Sequence, residues 1–252
     1  MLLTGFYGKL PSHGDFISRR LPREFLDHWD EWLQGGIAHS QKVLADQWLT
    51  LYLNAPVWRF VLSDGVCGEG IWYGVIIPSM DKVGRYFPLT FAGHIQQKIS
   101  PMKLMAECGY WIERLEDIAY SVLDDDFDLE TMEQDLNKLG NPTIRQVDDL
   151  FTGSSSTKMH SRPHLQVALD AGKIRPLQAM PAVTEYLINK LFNSYSFWWT
   201  QGTTQIQPAF LCSEGLPALP AFTSLLTGMW NEGGWLNLGT AISHTDSATL
   251  ME

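Results

Sequence analysis

Apolar residues recur at helical spacing in several stretches of the chain. In the first stretch Phe25, Trp29, Trp32 and Leu33 recur every three or four residues, which places them on one face of a helix. The spacing predicts helices over the following ranges: 22–51, with a break or bend at Gly35-Gly36, then 101–122, 129–139, 181–192 and 220–230. Pro22 in the first turn is the expected start signal of the first helix, and Ser100 followed by Pro101 is that of the second.

Runs of apolar residues bounded by turn-rich loops predict strands between these helices. The runs cover residues 2–8, 57–62, 71–77, 86–95, 165–169, 195–199 and 209–212. Short polar connections between the second, third and fourth runs favour an antiparallel meander. We interpret residues 9–21 as an ordered loop. This order of elements predicts an α/β fold of the α+β type, with a central, mainly antiparallel or mixed sheet flanked by helices on both faces.

Composition and charge limit the function classes. A chain of 252 residues that is 45% hydrophobic and 18% charged is expected to fold as a single α/β domain, here 1–236, with a flexible tail over 237–252. Its net charge of −10 argues against nucleic-acid binding and against attraction to an anionic membrane. Three scattered cysteines, no signal peptide and no long apolar run indicate a cytoplasmic protein without membrane insertion.

Two short motifs near the start have the residue types of a catalytic site without its spacing. Gly8-Lys9 follows a predicted strand, but a phosphate-binding loop requires a Ser or Thr at the next position. Ser12, His13 and Asp15 are the residue types of a catalytic triad, yet neighbours in one loop rarely align in the required order. We therefore assign no catalytic residue here.

The remaining candidate ligands also fail on geometry. Asp124, Asp126 and Asp128 match the first positions of a calcium loop, but Leu129 stands where the loop requires glycine. His160 and His164 have the spacing of a metal pair on a helix, but Pro163 between them argues against a helix there, and the other histidines lack metal-ligand spacing. Cys67 has no evident partner for nucleophilic chemistry. The sequence therefore predicts no metal and no cofactor.

Two loops carry charge in a pattern that packing alone does not require. Asp15 precedes Arg19 by four residues between a strand and a helix, and Asp81 precedes Arg85 by four residues between two strands. One interpretation is that these charges pair and brace the loops. The other is that they form a charged and aromatic rim that recognises a partner.

Three blocks of the sequence resemble one known family. They are Gly5-Phe6-Tyr7-Gly8-Lys9-Leu10-Pro11 with Gly14-Asp15-Phe16, Arg19, Leu21-Pro22, Phe25 and Trp29-Asp30-x-Trp32-Leu33; Pro78-Ser79-x-Asp81-x-Val83-Gly84-Arg85-x-Phe87-Pro88-Leu89; and Ser196-Phe197-Trp198-Trp199 with Leu216-Pro217. In these blocks the chain resembles the TagF (also ImpM) family, which comprises accessory proteins of bacterial type VI secretion.

The resemblance implies a cytoplasmic, non-enzymatic regulator that holds assembly of the secretion apparatus in check after translation. It implies that such a protein acts by binding a scaffold protein with a forkhead-associated domain. It also implies a longin-like arrangement in the N-terminal half, in which helices flank a five-stranded antiparallel sheet. The family supplies no catalytic residue to carry over.

Our first hypothesis is a partner-binding site in which the two charged loops come together. The predicted site residues are Lys9, Asp15, Arg19, Asp81 and Arg85, with Trp198 and Trp199 either behind them or in the interface. The alternative is a small hydrolase or phosphate-handling enzyme that uses Asp15, Arg19, Asp81 and Arg85, since a carboxylate beside an anion-binding cation suits that chemistry.

Overall fold

The computed structural model describes residues 4–96, 99–124, 126–142, 144 and 180–239. Its strands are β1 (Gly5–Gly8), β2 (Ile17–Arg19), β3 (Trp58–Leu62), β4 (Ile71–Ile77), β5 (Leu89–Ile95), β6 (Tyr195–Thr200) and β7 (Ala209–Glu214). Its α-helices are α1 (Arg23–Leu44), α2 (Trp48–Leu53), α3 (Pro101–Glu107), α4 (Gly109–Ser121), α5 (Leu129–Leu139), α6 (Met180–Leu191) and α7 (Leu219–Thr227), with a 3₁₀ turn before α2. The strand predicted over 165–169, and the predicted tail beyond residue 239, lie outside the described residues.

The described strands form one seven-stranded sheet in the order β2-β1-β5-β4-β3-β6-β7. Every neighbouring pair is antiparallel, which confirms the predicted α+β class and the meander through β3, β4 and β5. The first five strands in sequence form the five-stranded antiparallel part that the family resemblance implies. The last two strands extend that part beyond β3.

Helices cover both faces of the sheet, so its central strands are buried on both sides. In β4, Tyr73 and Val75 join the core beneath α4 and α5, while Trp72 and Ile76 join the core beneath α1 and α7. Successive side chains of a strand point to opposite faces, which explains why all of β4 is buried. None of the described helices combines the length and the apolar content needed to cross a membrane.

The predicted break in the first helix is wrong, because α1 runs without interruption through Gly35 and Gly36. These glycines instead allow α7 to approach closely. A Cβ atom built on Gly36 would lie 2.5 Å from the ring of Phe222, and one built on Gly35 would lie 3.1 Å from Leu219. The pair is therefore a packing device and does not end the helix.

Three other predicted boundaries also differ from the structure. The predicted loop over 9–21 contains β2, which has only three residues and therefore shows no usable alternation. The third meander strand begins at Leu89 instead of Tyr86, since Pro88 has no N–H group for the ladder. The single helix predicted from Pro101 is two helices, α3 and α4, which meet at Cys108.

Candidate partner-binding site

Two loops leave the same end of the sheet and touch each other. Residues 9–16 follow β1, and residues 78–88 connect β4 to β5; we call these two segments the loop junction. The antiparallel pairing of β1 with β5 places the end of β1 beside the start of β5. The backbone N–H of Lys82 donates to the carbonyl oxygen of His13 at 2.9 Å, which joins the loops directly. The predicted meeting of the two charged loops is therefore confirmed.

Side chains add further bonds across the loop junction. The hydroxyl of Ser79 donates to the carbonyl oxygen of Lys9 at 2.7 Å, and both residues are buried. The guanidinium of Arg85 donates to the carbonyl oxygen of Gly14 and lies 3.8 Å from the carboxylate of Asp15. Because Asp15 is fully exposed, we expect this last ion pair to contribute little to stability.

Asp81 is the centre of the loop junction. Its Oδ2 accepts hydrogen bonds at 2.6 Å from Lys9 Nζ and from Arg85 Nε, while its Oδ1 accepts from the backbone N–H groups of Val83 and Arg85 at 3.1 and 2.8 Å. The residue is only 2% exposed and Lys9 only 5% exposed. Burial by itself would raise the pKa of the Asp81 carboxyl, but these hydrogen bonds outweigh burial and hold that pKa well below its ordinary value of 3.8.

The depressed pKa of Asp81 predicts an acid-sensitive loop junction. A carboxyl whose folded pKa lies below its unfolded value stabilises the fold above the unfolded pKa, and this contribution is lost as the pH falls through the lower folded value. We expect the thermal midpoints of the wild type and of Asp81→Asn to differ most above pH 3.8 and to converge below it. Differential scanning calorimetry over a pH series measures this, and a difference independent of pH would contradict it.

Apolar side chains cover the buried ion pair on the solvent side. Phe16 places its ring 5.0 Å from Lys9 Nζ, a cation–π contact, stacks on Tyr7 and meets Phe87 edge to face. Phe16 is nevertheless 48% exposed, and Val83 at the turn of the second loop is 69% exposed. The loop junction thus buries the Lys9–Asp81 pair and presents Phe16 and Val83 to solvent.

A cleft of about 380 Å³ adjoins the loop junction. It extends over the end of the sheet, because Leu53 at the end of α2 lines it from one face and Leu123 after α4 lines it from the other. The full lining consists of Pro11, Ser12, Leu53, Pro78, Ser79, Met80, Leu123, Asp124 and Phe127. The charged side chains at the centre of the loop junction are not among these residues.

Arg19 does not join the loop junction as predicted. It lies at the end of β2 away from that junction, where its guanidinium is 3.5 Å from the carboxylate of Glu133 in α5. The sequence could not indicate this partner, which is more than a hundred residues away. Its predicted place in a cluster with Asp81 and Arg85 is therefore wrong.

The two predicted tryptophans also lie away from the loop junction. Trp198 is completely buried between the sheet and α1, and Trp199 is half-buried against the opposite core. Three strands separate β6 from β1, so neither indole lies behind Asp81. Trp198 cannot contact a partner while the domain is folded, which corrects its predicted role in an interface.

Two exposed leucines beside the loop junction were not among the predicted site residues. Leu53 follows the buried Tyr52, and Leu123 follows the buried Val122. Each leucine follows directly after an inward-facing residue at a helix end. The helical spacing therefore predicts that its side chain is exposed. An apolar residue at such a position is the signal that could have identified the cleft.

The other candidate chemical groups have structural roles. Asp128 caps α5 by accepting from the backbone N–H of Thr131 at 2.8 Å. Burial raises the pKa of the Cys67 thiol to about 12, so it is protonated and unreactive at neutral pH. Within the described ranges, no three His, Cys, Asp or Glu residues are grouped as metal ligands.

Comparison with known proteins identifies the family. Residues 5–139, more than half of the chain, match the family described as TagF N-terminal domain, type VI secretion system-associated. The chain belongs to the TagF family. The match confirms the resemblance seen in the motifs and includes both segments of the loop junction. A search of the curated proteins found no match.

A solved crystal structure shares this fold. The crystal structure of PA0076 from Pseudomonas aeruginosa PAO1 is similar to this TagF protein with a TM-score of 0.75 and 33% sequence identity. The alignment covers 95% of this chain and 100% of that one. The similarity therefore extends through β6, β7 and α7, well past the family match.

Proposed function

We propose that this TagF protein is a cytoplasmic, non-enzymatic regulator of type VI secretion that binds a protein partner through the loop junction. In this proposal it represses assembly of the apparatus after translation by holding a scaffold protein with a forkhead-associated domain. Membership of the TagF family supports the link to type VI secretion. The repressive role and the identity of the scaffold follow from what the family resemblance implies.

The observation that carries the proposal is the exposed apolar cover over a rigid, buried ion pair. Phe16 and Val83 are large apolar side chains held at the surface by loops that Asp81 fixes in place. Pre-ordered apolar side chains of this kind are typical of binding surfaces, because little entropy is lost when a partner covers them.

The same geometry argues against the hydrolase alternative. A general base needs a free lone pair and a pKa near the working pH. Asp81 instead accepts four hydrogen bonds and has a depressed pKa, and Arg85 is already engaged with it. The adjoining cleft does not contain these groups, so a substrate in the cleft would not meet them.

Replacing Val83 with aspartate should weaken capture of the scaffold at least tenfold, a loss of about 1.4 kcal/mol. The substitution removes an exposed apolar side chain and puts a hydrated carboxylate in its place, while the 69% exposure of Val83 keeps the fold intact. Surface plasmon resonance with the purified forkhead-associated scaffold measures the affinity.

Leu191→Asp is the matched control for Val83→Asp. Leu191 is 73% exposed and precedes β6, at the end of the sheet opposite the loop junction. The control should bind the scaffold like the wild type. Equal loss in both variants, or no loss in Val83→Asp, would contradict the proposed surface. Failure of the wild type to bind would contradict the proposed partner.

A further inference from the structure

The cleft beside the loop junction has the form of a docking site for an apolar side chain. Leu53, Met80 and Leu123 line it and remain 49%, 39% and 52% exposed. Its volume of about 380 Å³ is near the lower limit for ligand sites, which run from about 300 to 1,000 Å³. A cleft of this size suits one or two large side chains of an extended segment better than a whole helix.

The rim of this cleft is acidic on the side of α5. Asp124 lines the cleft and Asp126 adjoins Phe127, and both residues are exposed. In the described part of the chain, neither carboxylate forms an ion pair. Their charge is therefore available to a ligand, as expected for a protein of net charge −10.

The cations on the opposite side of the cleft do not neutralise this rim. Lys9 and Arg85 both pair with Asp81, and Arg85 also lies 3.8 Å from Asp15, so these two cations are balanced by two carboxylates. Lys82, which is exposed, is the remaining cation of residues 78–88, and its single positive charge is outnumbered by the two carboxylates of Asp124 and Asp126. The field at the cleft is therefore negative, and it favours a cationic ligand.

From this complementarity we infer that the cleft binds an extended, basic–apolar peptide segment of a protein partner. A large apolar side chain of that segment enters the cleft between Leu53 and Leu123, and an Arg or Lys beside it pairs with Asp124 and Asp126. This inference rests on the proposed function in taking this end of the sheet as the binding surface. It adds the chemistry of the segment that is recognised.

Labelled peptides test the inference without the scaffold. Three short probes in a Gly/Ser background carry Arg-Leu-Arg, Glu-Leu-Glu or Arg-Ala-Arg, and fluorescence anisotropy measures their dissociation constants. We expect the wild type to bind the first probe at least tenfold more tightly than either of the others. Added salt should weaken this binding, since exposed charges are screened. Equal binding of all three probes, or preference for the acidic one, would overturn the inference.

Charge variants identify the side chains responsible. Asp124→Asn with Asp126→Asn should remove most of the preference for the basic probe, and lysine at both positions should reverse it. Glu214→Gln is the control, because Glu214 is exposed at the other end of the sheet. An unchanged preference in the double variants, with circular dichroism like that of the wild type, would overturn the assignment to this rim.

The scaffold experiment separates this inference from the proposed function. If the scaffold binds the wild type and the double lysine variant equally, the cleft inference fails and the proposed function stands. If the wild type selects the basic–apolar probe but does not bind the scaffold, the proposed partner fails and the cleft inference stands. Sedimentation that shows a dimer dissociated by the lysine substitutions would make a second copy the occupant, which also overturns the inference.

Discussion

Replacing Trp198 with alanine should lower the free energy of unfolding by about 3–5 kcal/mol, the usual cost of removing a buried aromatic side chain. The indole is completely buried, and its ring packs against Trp29, Trp32 and Phe60 at centroid distances of 6.0, 5.2 and 5.5 Å. Its N–H also donates to the hydroxyl of Ser196 at 2.8 Å. Truncation therefore leaves a cavity at the centre of one core. Urea denaturation followed by fluorescence measures the loss.

Two further variants separate packing from partner contact at this position. Trp198→Phe should recover part of the lost stability, because it restores ring contacts without the indole N–H. Trp199→Ala should cost less than Trp198→Ala, since Trp199 is only half-buried. If Trp198→Ala kept its stability but lost the scaffold, Trp198 would be an interface residue and the core assignment would be wrong. We expect the folded fraction of that variant to bind the scaffold like the wild type.

Local patterns predicted most of the fold because local physics determines it. The range 71–77 matches β4 and the range 129–139 matches α5 at both ends. Ser100 caps α3 as expected, accepting from the backbone N–H of Lys103, and Pro101 is in the first turn. Long-range packing explains why the helix break was predicted wrongly. Gly36 is typical of a helix break in sequence, but it is glycine because the ring of Phe222 packs against it.

The contacts of the candidate site could be predicted from the sequence where the two residues are close together in the chain. Asp81 and Arg85 are four residues apart in one tight turn, so their pairing could be inferred from spacing. The partner of Arg19 in α5 could not be inferred, because it depends on how α5 packs. Trp198 and Trp199 are adjacent in a strand and so point to opposite faces, and helices cover both faces. Aromatic content alone could not distinguish this from an exposed rim.

Gly8, the last residue of β1, occupies a position that only glycine suits, which also explains its place in the family motif. Gly8 has a φ of +141°, which side-chain-bearing residues rarely adopt. A Cβ atom there would overlap the carbonyl oxygen of Pro88 and lie 2.8 Å from the Cα of Leu89. Gly8 thus allows the end of β1 to pack directly against Pro88 and Leu89, which brings Lys9 within hydrogen-bonding distance of Asp81.

Replacing Gly8 with alanine should therefore destabilise the protein by about 3 kcal/mol or more, since a strained φ and a backbone overlap each cost about 1–3 kcal/mol. Relief of the overlap requires β1 to move away from β5, which would separate Lys9 from Asp81. We accordingly expect weaker scaffold binding in addition to the lower stability. Chemical denaturation measures the stability, and surface plasmon resonance on the folded fraction measures the binding.

Gly14→Ala is the matched control, because Gly14 belongs to the same sequence motif and lies in the loop that follows Gly8. A Cβ atom on Gly14 would meet no heavy atom within 4 Å, and its φ lies outside the left-handed range. We expect its stability to stay within about 0.5 kcal/mol of the wild type. Equal destabilisation by the two substitutions would show that loop flexibility, not the close approach at Pro88, accounts for the glycines of this motif. A large effect at Gly8 alone would show that the approach of β1 to β5 holds the loop junction together.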